Sequence, residues 1–362
     1  MLWPLVMQQA QPGMDKRTPI PPIFDGHNDA ILRLWMGGIA DANANFRSSA
    51  KGHIDLERAR AGHLIGGFFA MFAPPTGPFK MPDFSPPYDI PLPPMLDQIE
   101  ALEMITGQAD VLIHLHDAGL LTVCTNRAQI DTAVAKGTMA AIMHLEGAEA
   151  IDPDLEALDQ LFAKGLRSLG PVWSRQTIFG HGVPFRYPSD ADIGPGLTDI
   201  GKSLVARCAA LGVIVDTSHL NMAGFWDVGA AGLPLVATHS NAHAVSPGAR
   251  NLTDPQLRAI GETGGIVGLN YGTMFLRADG RASPEGGLDA AMRHLSHMLE
   301  LAGEDHVALG SDFDGAPMPQ GLEDASKLDT LRKAMSDHHF GDDLIARICS
   351  KNWLNFIERH LG

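Results

Sequence analysis

His27 and Asp29 stand two residues apart at the end of the apolar run Pro21-Pro22-Ile23-Phe24-Asp25. Alternate side chains of an extended strand face the same way, so an imidazole and a carboxylate at this spacing can close on one divalent cation. Four further groups of the same kind end short apolar runs: Glu146, His219, His239 and Asp312. Any one of them can equally belong to a polar turn or satisfy a backbone group. Six at equivalent positions are hard to obtain by chance. Buried, uncompensated charge is costly, so a ring of acids and imidazoles persists mainly where cations neutralise it. The set has the arithmetic for two divalent metal ions. His27 and Asp29 hold one, His219 and His239 the other, and Glu146 bridges through its two oxygens. Nitrogen and oxygen ligands without cysteine favour zinc, with manganese or cobalt compatible with the same ligand types. A metal pair activates water and polarises a scissile carbonyl, which predicts metal-assisted hydrolysis.

Something must carry these groups to one place. Short β-rich runs at 23–27, 64–72, 140–146, 166–173, 213–219, 235–239, 265–271 and 306–312 alternate with helix-like stretches at 96–118, 153–164, 197–211, 254–263 and 287–302. That alternation is the pattern of a parallel sheet with crossover helices, and eight repeats favour a closed (β/α)8 TIM barrel over an open sheet. Residues 1–20 read as a flexible tail and 21–362 as a single hydrolase barrel domain. Loops that follow barrel strands lie on the catalytic face, so decorated loops are expected there. Residues 74–94, rich in proline and carrying Phe79, Phe84 and Tyr88, read as an ordered irregular loop. Residues 174–195 carry His181, Phe185, Arg186 and Tyr187 among glycines and prolines. Both are candidate walls of a substrate pocket. A last amphipathic helix over 342–360, with Ile345, Ile348, Trp353 and Phe356, is expected on the barrel exterior.

The bulk properties exclude other classes. A formal charge of −15 with no Lys/Arg cluster argues against a nucleic-acid partner. Cys124, Cys208 and Cys349 are far apart without ligand spacing, and read as reduced core residues. Residues 1–7 are apolar but lack a basic flank and a cleavage site, and no other run approaches the ~20 apolar residues of a membrane span. A cytoplasmic protein without a membrane partner is expected. His53, His63, His114, His116, His243, His294 and His297 lack complementary spacing and read as surface or core histidines.

The candidate ligands sit in the motifs Asp25-Gly26-His27-Asn28-Asp29, Leu145-Glu146-Gly147, Asp216-Thr217-Ser218-His219 and Thr238-His239-Ser240-Asn241-Ala242. Further motifs are Ala249-Arg250-Asn251-Leu252, Gly310-Ser311-Asp312-Phe313-Asp314-Gly315 and Gly321-Leu322-Glu323-Asp324. In their order and context the chain resembles the renal or membrane dipeptidases of the amidohydrolase superfamily, over most of its length from Phe24 to Phe356. The resemblance implies a zinc-dependent dipeptidase in which His27 and Asp29 ligate one zinc, His219 and His239 the second, and Glu146 bridges. A metal-bridging hydroxide then cleaves the peptide bond, and some members accept a D-residue at the C-terminal position. Asp312 is implied to bind the substrate amine and shuttle a proton to the leaving nitrogen, and Arg250 to pair with the terminal carboxylate. A homodimer follows by analogy with the family.

One position departs. Members usually carry a histidine at the end of strand four that supports the developing oxyanion, and Trp173 stands there instead. Such a loss costs roughly 10²–10³ in turnover if nothing replaces the donor. His181, between Gly180 and Gly182, is the candidate substitute, while the Trp173 indole would narrow the pocket and alter substrate choice. The departure leaves room for a related binuclear amidohydrolase acting on N-acyl amino acids, cyclic amides or lactones. It is also the sole support for a metal-binding homologue without turnover.

Overall fold

Eleven strands form among the residues described by this computed structural model, which are 20–77 and 82–362. They are β1 (Ile23–Asn28), β2 (Leu64–Phe72), β3 (Tyr88–Ile90), β4 (Leu121–Val123), β5 (Met139–Glu146) and β6 (Leu166–Gly170). They continue with β7 (Phe185–Tyr187), β8 (Ile214–Val215), β9 (Val236–Ala237), β10 (Ile266–Leu269) and β11 (Val307–Leu309). Residues 1–19 of the tail expected over 1–20, and Phe79, lie outside the described residues.

Eight of these strands make a barrel. Parallel pairing runs β1-β2-β5-β6-β8 in one stretch and β9-β10-β11 in the other. Two isolated parallel bridges join the stretches, Asp216 to Val236 and Asn28 to Phe313, so the sheet has no free edge. The eight runs read from the sequence are these eight strands. Unforeseen are β4, which pairs with the start of β5, and an antiparallel pair between β3 and β7. That pair ties the two long loops together, so the segment expected to be wholly irregular contains a strand. The fourth run ends at Gly170, earlier than expected, and β8 and β9 are two residues each, although Asp216 N and Thr217 N still donate to the Leu169 and Val236 carbonyls beyond β8.

Two apolar layers follow from strand alternation. Phe69, Met71, Ala141, Met143 and Leu145 pack outward against the surrounding helices. Phe24, Phe68, Ala140, Ile142, Val236 and Ile266 pack inward, and Trp353, Phe356 and Ile357 join them. The C-terminal helix therefore plugs the N-terminal end of the barrel, where the sequence reading placed it on the exterior. Trp353 Nε1 donates to the Leu309 carbonyl at 2.8 Å, which satisfies the one polar atom of a fully buried indole. The segment is also not one continuous helix: Asp342–Ala346 and Asn352–Leu361 flank a π-helical turn at Arg347–Lys351.

Strand β1 carries a bulge that aims the site. Asp25 pairs with Gly67 but Asn28 pairs with Phe69, three residues against two. Because Phe24 points inward, strict alternation would turn His27 outward. The extra residue reverses the parity and directs His27 into the barrel. Gly26 makes the bulge possible, since a Cβ there would lie 2.5 Å from the Thr238 carbonyl and 2.7 Å from the Trp353 ring.

His294 is a core histidine, on the helix Gly287–Ala302. Its Nδ1 accepts from Ala242 N at 3.0 Å and its Nε2 donates to the Leu276 carbonyl at 2.9 Å, so a neutral ring joins two loops of the catalytic face. Burial pushes it down from 6.5 to about 4. An imidazole whose folded value is depressed lets the unfolded chain bind the extra proton, so stability present above about 6.5 is lost as pH falls toward 4. Between pH 7 and 5 the wild type is expected to lose about 2 kcal/mol more unfolding free energy than His294→Gln, read from urea melts at the two pH values.

Candidate metal centre and substrate pocket

Glu146 Oε1 is the point on which the imidazoles converge. It lies 3.0 Å from His219 Nε2, 3.5 Å from His239 Nε2 and 3.8 Å from His27 Nε2. His27 Nε2 is in turn 3.5 Å from Asp29 Oδ2, and the Nε2 atoms of His219 and His239 are 3.1 Å apart. All five residues are buried. The structure thus brings together all five ligands expected from the sequence, each from the C-terminal end of a barrel strand. Asp312 joins them, its carboxylate grouping with His27 and His239.

The donor set fits a cation. Both ring nitrogens of His27 are fully buried without a hydrogen-bond partner among the described residues. Burial would depress His27, yet the surrounding carboxylates, Glu146 foremost, outweigh it and lift the ring to about 10. Positive charge is what this position demands. His219 and His239 are held well below the ordinary histidine value by burial and then by nearby Arg250 and His27, so both rings are neutral donors. Burial raises Glu146, and burial followed by the Asp29 charge raises Asp312. Carboxylates concentrated like this are costly without a counter-cation.

Polar groups behind two of the candidate ligands, His219 and His239, fix their orientation. Ser174 Oγ lies 2.9 Å from His219 Nδ1, and Thr238 Oγ1 lies 2.8 Å from His239 Nδ1. Thr238 Oγ1 donates to Asp216 Oδ2 at 2.6 Å, while Asp216 Oδ1 accepts from Ser218 Oγ and from the Thr238 amide. Hydrogen bonds of this kind hold Nε2 free as the donor atom. Asn270, at the end of β10, donates to Asp312 Oδ2 at 2.8 Å. The sequence reading missed Asn270, although it occupies the same strand-end position that singled out the other six. His144 was also passed over; its Nδ1 lies 2.9 Å from Ser168 Oγ, and its ring groups with His27 and Asp216.

Asp312 and Asp314 adopt left-handed backbone, with φ of 60° and 69°. The turn is tied down from outside. Asp314 Oδ1 accepts from His53 N at 2.7 Å, its amide donates to His53 Nδ1, and Arg33 Nε donates to Asp314 Oδ2 at 3.3 Å. His53 is therefore no idle histidine; it anchors the Asp312 turn. Gly315 has to be glycine because a Cβ would sit 2.2 Å from Asp29 Oδ2 and 2.4 Å from Asp312 Oδ1. Beside Asp29 and Asp314 opens a cavity of about 650 Å³ lined also by Leu32, Met36 and Ala50.

Arg250 reaches the centre from the loop after β9. It donates to the Ser218 carbonyl, to Ser240 Oγ and to the His239 carbonyl, and its Nη2 lies 3.1 Å from His219 Nε2. Burial lowers it to about 10, a value at which the guanidinium is still charged at neutral pH. Trp173 stands beside the cluster, its ring centre 6.0 Å from that of His219 and tilted 40° to it. His181 lies in the segment bridged to the chain after β8, Gly182 pairing with Leu220. Its carbonyl accepts from Asn221 N at 3.2 Å and its half-buried ring joins no ligand grouping among the described residues.

Comparison with known proteins bears on this arrangement. The family described as membrane dipeptidase, peptidase family M19, matches residues 17–360. A solved metallopeptidase of that family, dipeptidase AC, superposes with a TM-score of 0.90 at 47% identity, covering 94% of this chain and 99% of its own. A metallopeptidase from Rhodobacter sphaeroides, solved with a phosphinate mimic of the dipeptide L-Ala-D-Ala, gives 0.89 at 46% identity over 94% of this chain and 99% of its own. An uncharacterised Klebsiella pneumoniae protein is 40% identical over 262 residues, 72% of this chain and 97% of its own.

Proposed function

The chain belongs to the membrane dipeptidase family, peptidase family M19, and from that premise we propose how its residues carry out metal-dependent hydrolysis of dipeptides. His27 and Asp29 would hold one divalent ion, His219 and His239 would hold a second, and Glu146 would serve both. Zinc suits this nitrogen and oxygen donor set. The single observation that carries the reading is the convergence of three imidazole Nε2 atoms on Glu146 Oε1 in a buried pocket. When bound, the ions supply electrophilic activation of a carbonyl and acidify water.

The protein's own groups do the rest. Asp312 Oδ1 is free beside the cluster while Oδ2 is fixed by Asn270, so the carboxylate can bind the substrate's ammonium, take a proton from the attacking water and return it to the leaving nitrogen. Arg250 offers a buried, charged guanidinium to the terminal carboxylate. Binding both ends of the substrate makes the site a ruler that favours dipeptides over longer peptides. Among the described residues no helix is long and apolar enough to cross a membrane.

Amino-acid release from L,L and L,D dipeptides tests the proposal. The zinc-loaded protein is expected to cleave members of the panel, to lose the activity on chelation and to regain it with zinc. N-acetylated dipeptides are expected to be poor substrates. Silence across the panel with two ions bound per chain would overturn the reading.

A further inference from the structure

We infer that the site selects dipeptides with a bulky apolar or aromatic side chain on the C-terminal residue, an inference that rests on the reading of Arg250 as the carboxylate partner. A continuous row of rings leads away from Arg250. The guanidinium carbon sits 5.7 Å from the Phe275 ring centre; Phe275 stacks on Phe185 at 6.1 Å, Phe185 meets Trp173 at 5.5 Å, and Trp173 meets Phe72 at 5.1 Å. Phe275, Phe185 and Trp173 are only half-buried, unlike the fully buried rings of the barrel core. They present apolar surface at the mouth of a polar centre, and Trp173 does so within 6.0 Å of the His219 ring. A carboxylate held by Arg250 therefore puts the side chain of its own residue against this wall.

The wall is fixed before any substrate arrives. Gln108 clamps the backbone of Phe72, accepting from its amide at 3.0 Å and donating to its carbonyl at 2.7 Å. Behind Trp173 the buried Arg175 guanidinium lies 5.6 Å from both the Trp173 and Phe72 rings and donates to Glu149 at 2.6 Å. Phe185 is held in β7, paired with Ile90 of β3. Rigid rings cannot collapse into the space they border, so apolar area gained by the substrate is not spent on ordering the protein. The Asp312 side of the centre is different. Asp29, whose carboxylate borders Gly315 together with that of Asp312, lines the open cavity of about 650 Å³, so the N-terminal residue is tolerated broadly.

The test compares kcat/KM of the zinc-loaded enzyme for Ala-Ala, Ala-Leu, Ala-Phe, Leu-Ala and Phe-Ala, with L and D forms of the C-terminal residue. Ala-Phe and Ala-Leu are expected to exceed Ala-Ala by ~10–200-fold, and Phe-Ala and Leu-Ala to stay within a few-fold of it. Phe185→Ala is expected to narrow the Ala-Phe to Ala-Ala ratio about tenfold, with Phe185→Leu intermediate. Phe185→Leu keeps an apolar side chain in β7 and covers the case in which the alanine variant fails to fold. Equal rates across the panel, or a preference for bulk on the N-terminal residue, would overturn the inference and leave the dipeptidase reading standing. No cleavage of any dipeptide would overturn that reading instead.

Discussion

Glu146→Gln is expected to lower kcat/KM by roughly 10³–10⁴, the rate equivalent of several kcal/mol of metal-derived transition-state stabilisation. The amide keeps the volume of the side chain and its place at the end of β5, between the imidazoles of His27, His219 and His239. What it loses is the charge that, in the proposed two-ion centre, the cations would share. Metal content measured on the purified variant is therefore expected to fall below two ions per chain. Stability separates this role from a structural one. A carboxylate buried among other acids costs free energy unless cations are bound, so stripped of metal the Gln variant is expected to melt no lower than the stripped wild type. A variant that melts well below it while holding two ions would show that Glu146 serves packing and not the metals.

The second large effect belongs to Asp312. Asparagine is the least disturbing replacement, because it tolerates the left-handed φ of 60° and its amide oxygen can still accept from Asn270. Asp312→Asn thus removes the charge and the proton-accepting oxygen and little else. Turnover is expected to fall by ~10²–10⁴, the range spanned by general acid–base catalysis. Binding of the substrate amine weakens as well, so KM is expected to rise together with the fall in kcat. Metal content is the decisive second readout, since Asp312 lies in ligand distance of His27 and His239. Two ions retained with turnover lost assigns the proton to Asp312. Loss of an ion would assign the residue to the metal shell.

Strand periodicity and the types of strand-end residues were readable in the chain without a structure. Runs such as 140–146 and 265–271 are short, apolar and bounded by helical stretches, and local patterning of that kind specifies parallel barrel strands wherever they sit in space. Because every strand of such a barrel delivers its C-terminal end to the same face, Glu146, His219, His239 and Asp312 were bound to meet once the barrel was inferred. Other features depend on which chain segment lies opposite which, and no local pattern encodes that. The inward aim of His27 depends on one extra residue in β1 relative to β2, which is a property of pairing register. The pairing of β3 with β7, which joins two loops and seats Phe185 beside Trp173, spans nearly a hundred residues of sequence and has no alternating signature of its own. The C-terminal helix is amphipathic whether it covers a barrel's side or plugs its end; only the ring of inward side chains from Phe24 to Ile266 decides that Trp353 belongs inside. His53 and Asn270 hold the Asp312 turn through contacts of that same long-range kind. Composition and period therefore determined the fold and the chemistry of the candidate ligands, while register and loop packing decided where those groups point and what surrounds them.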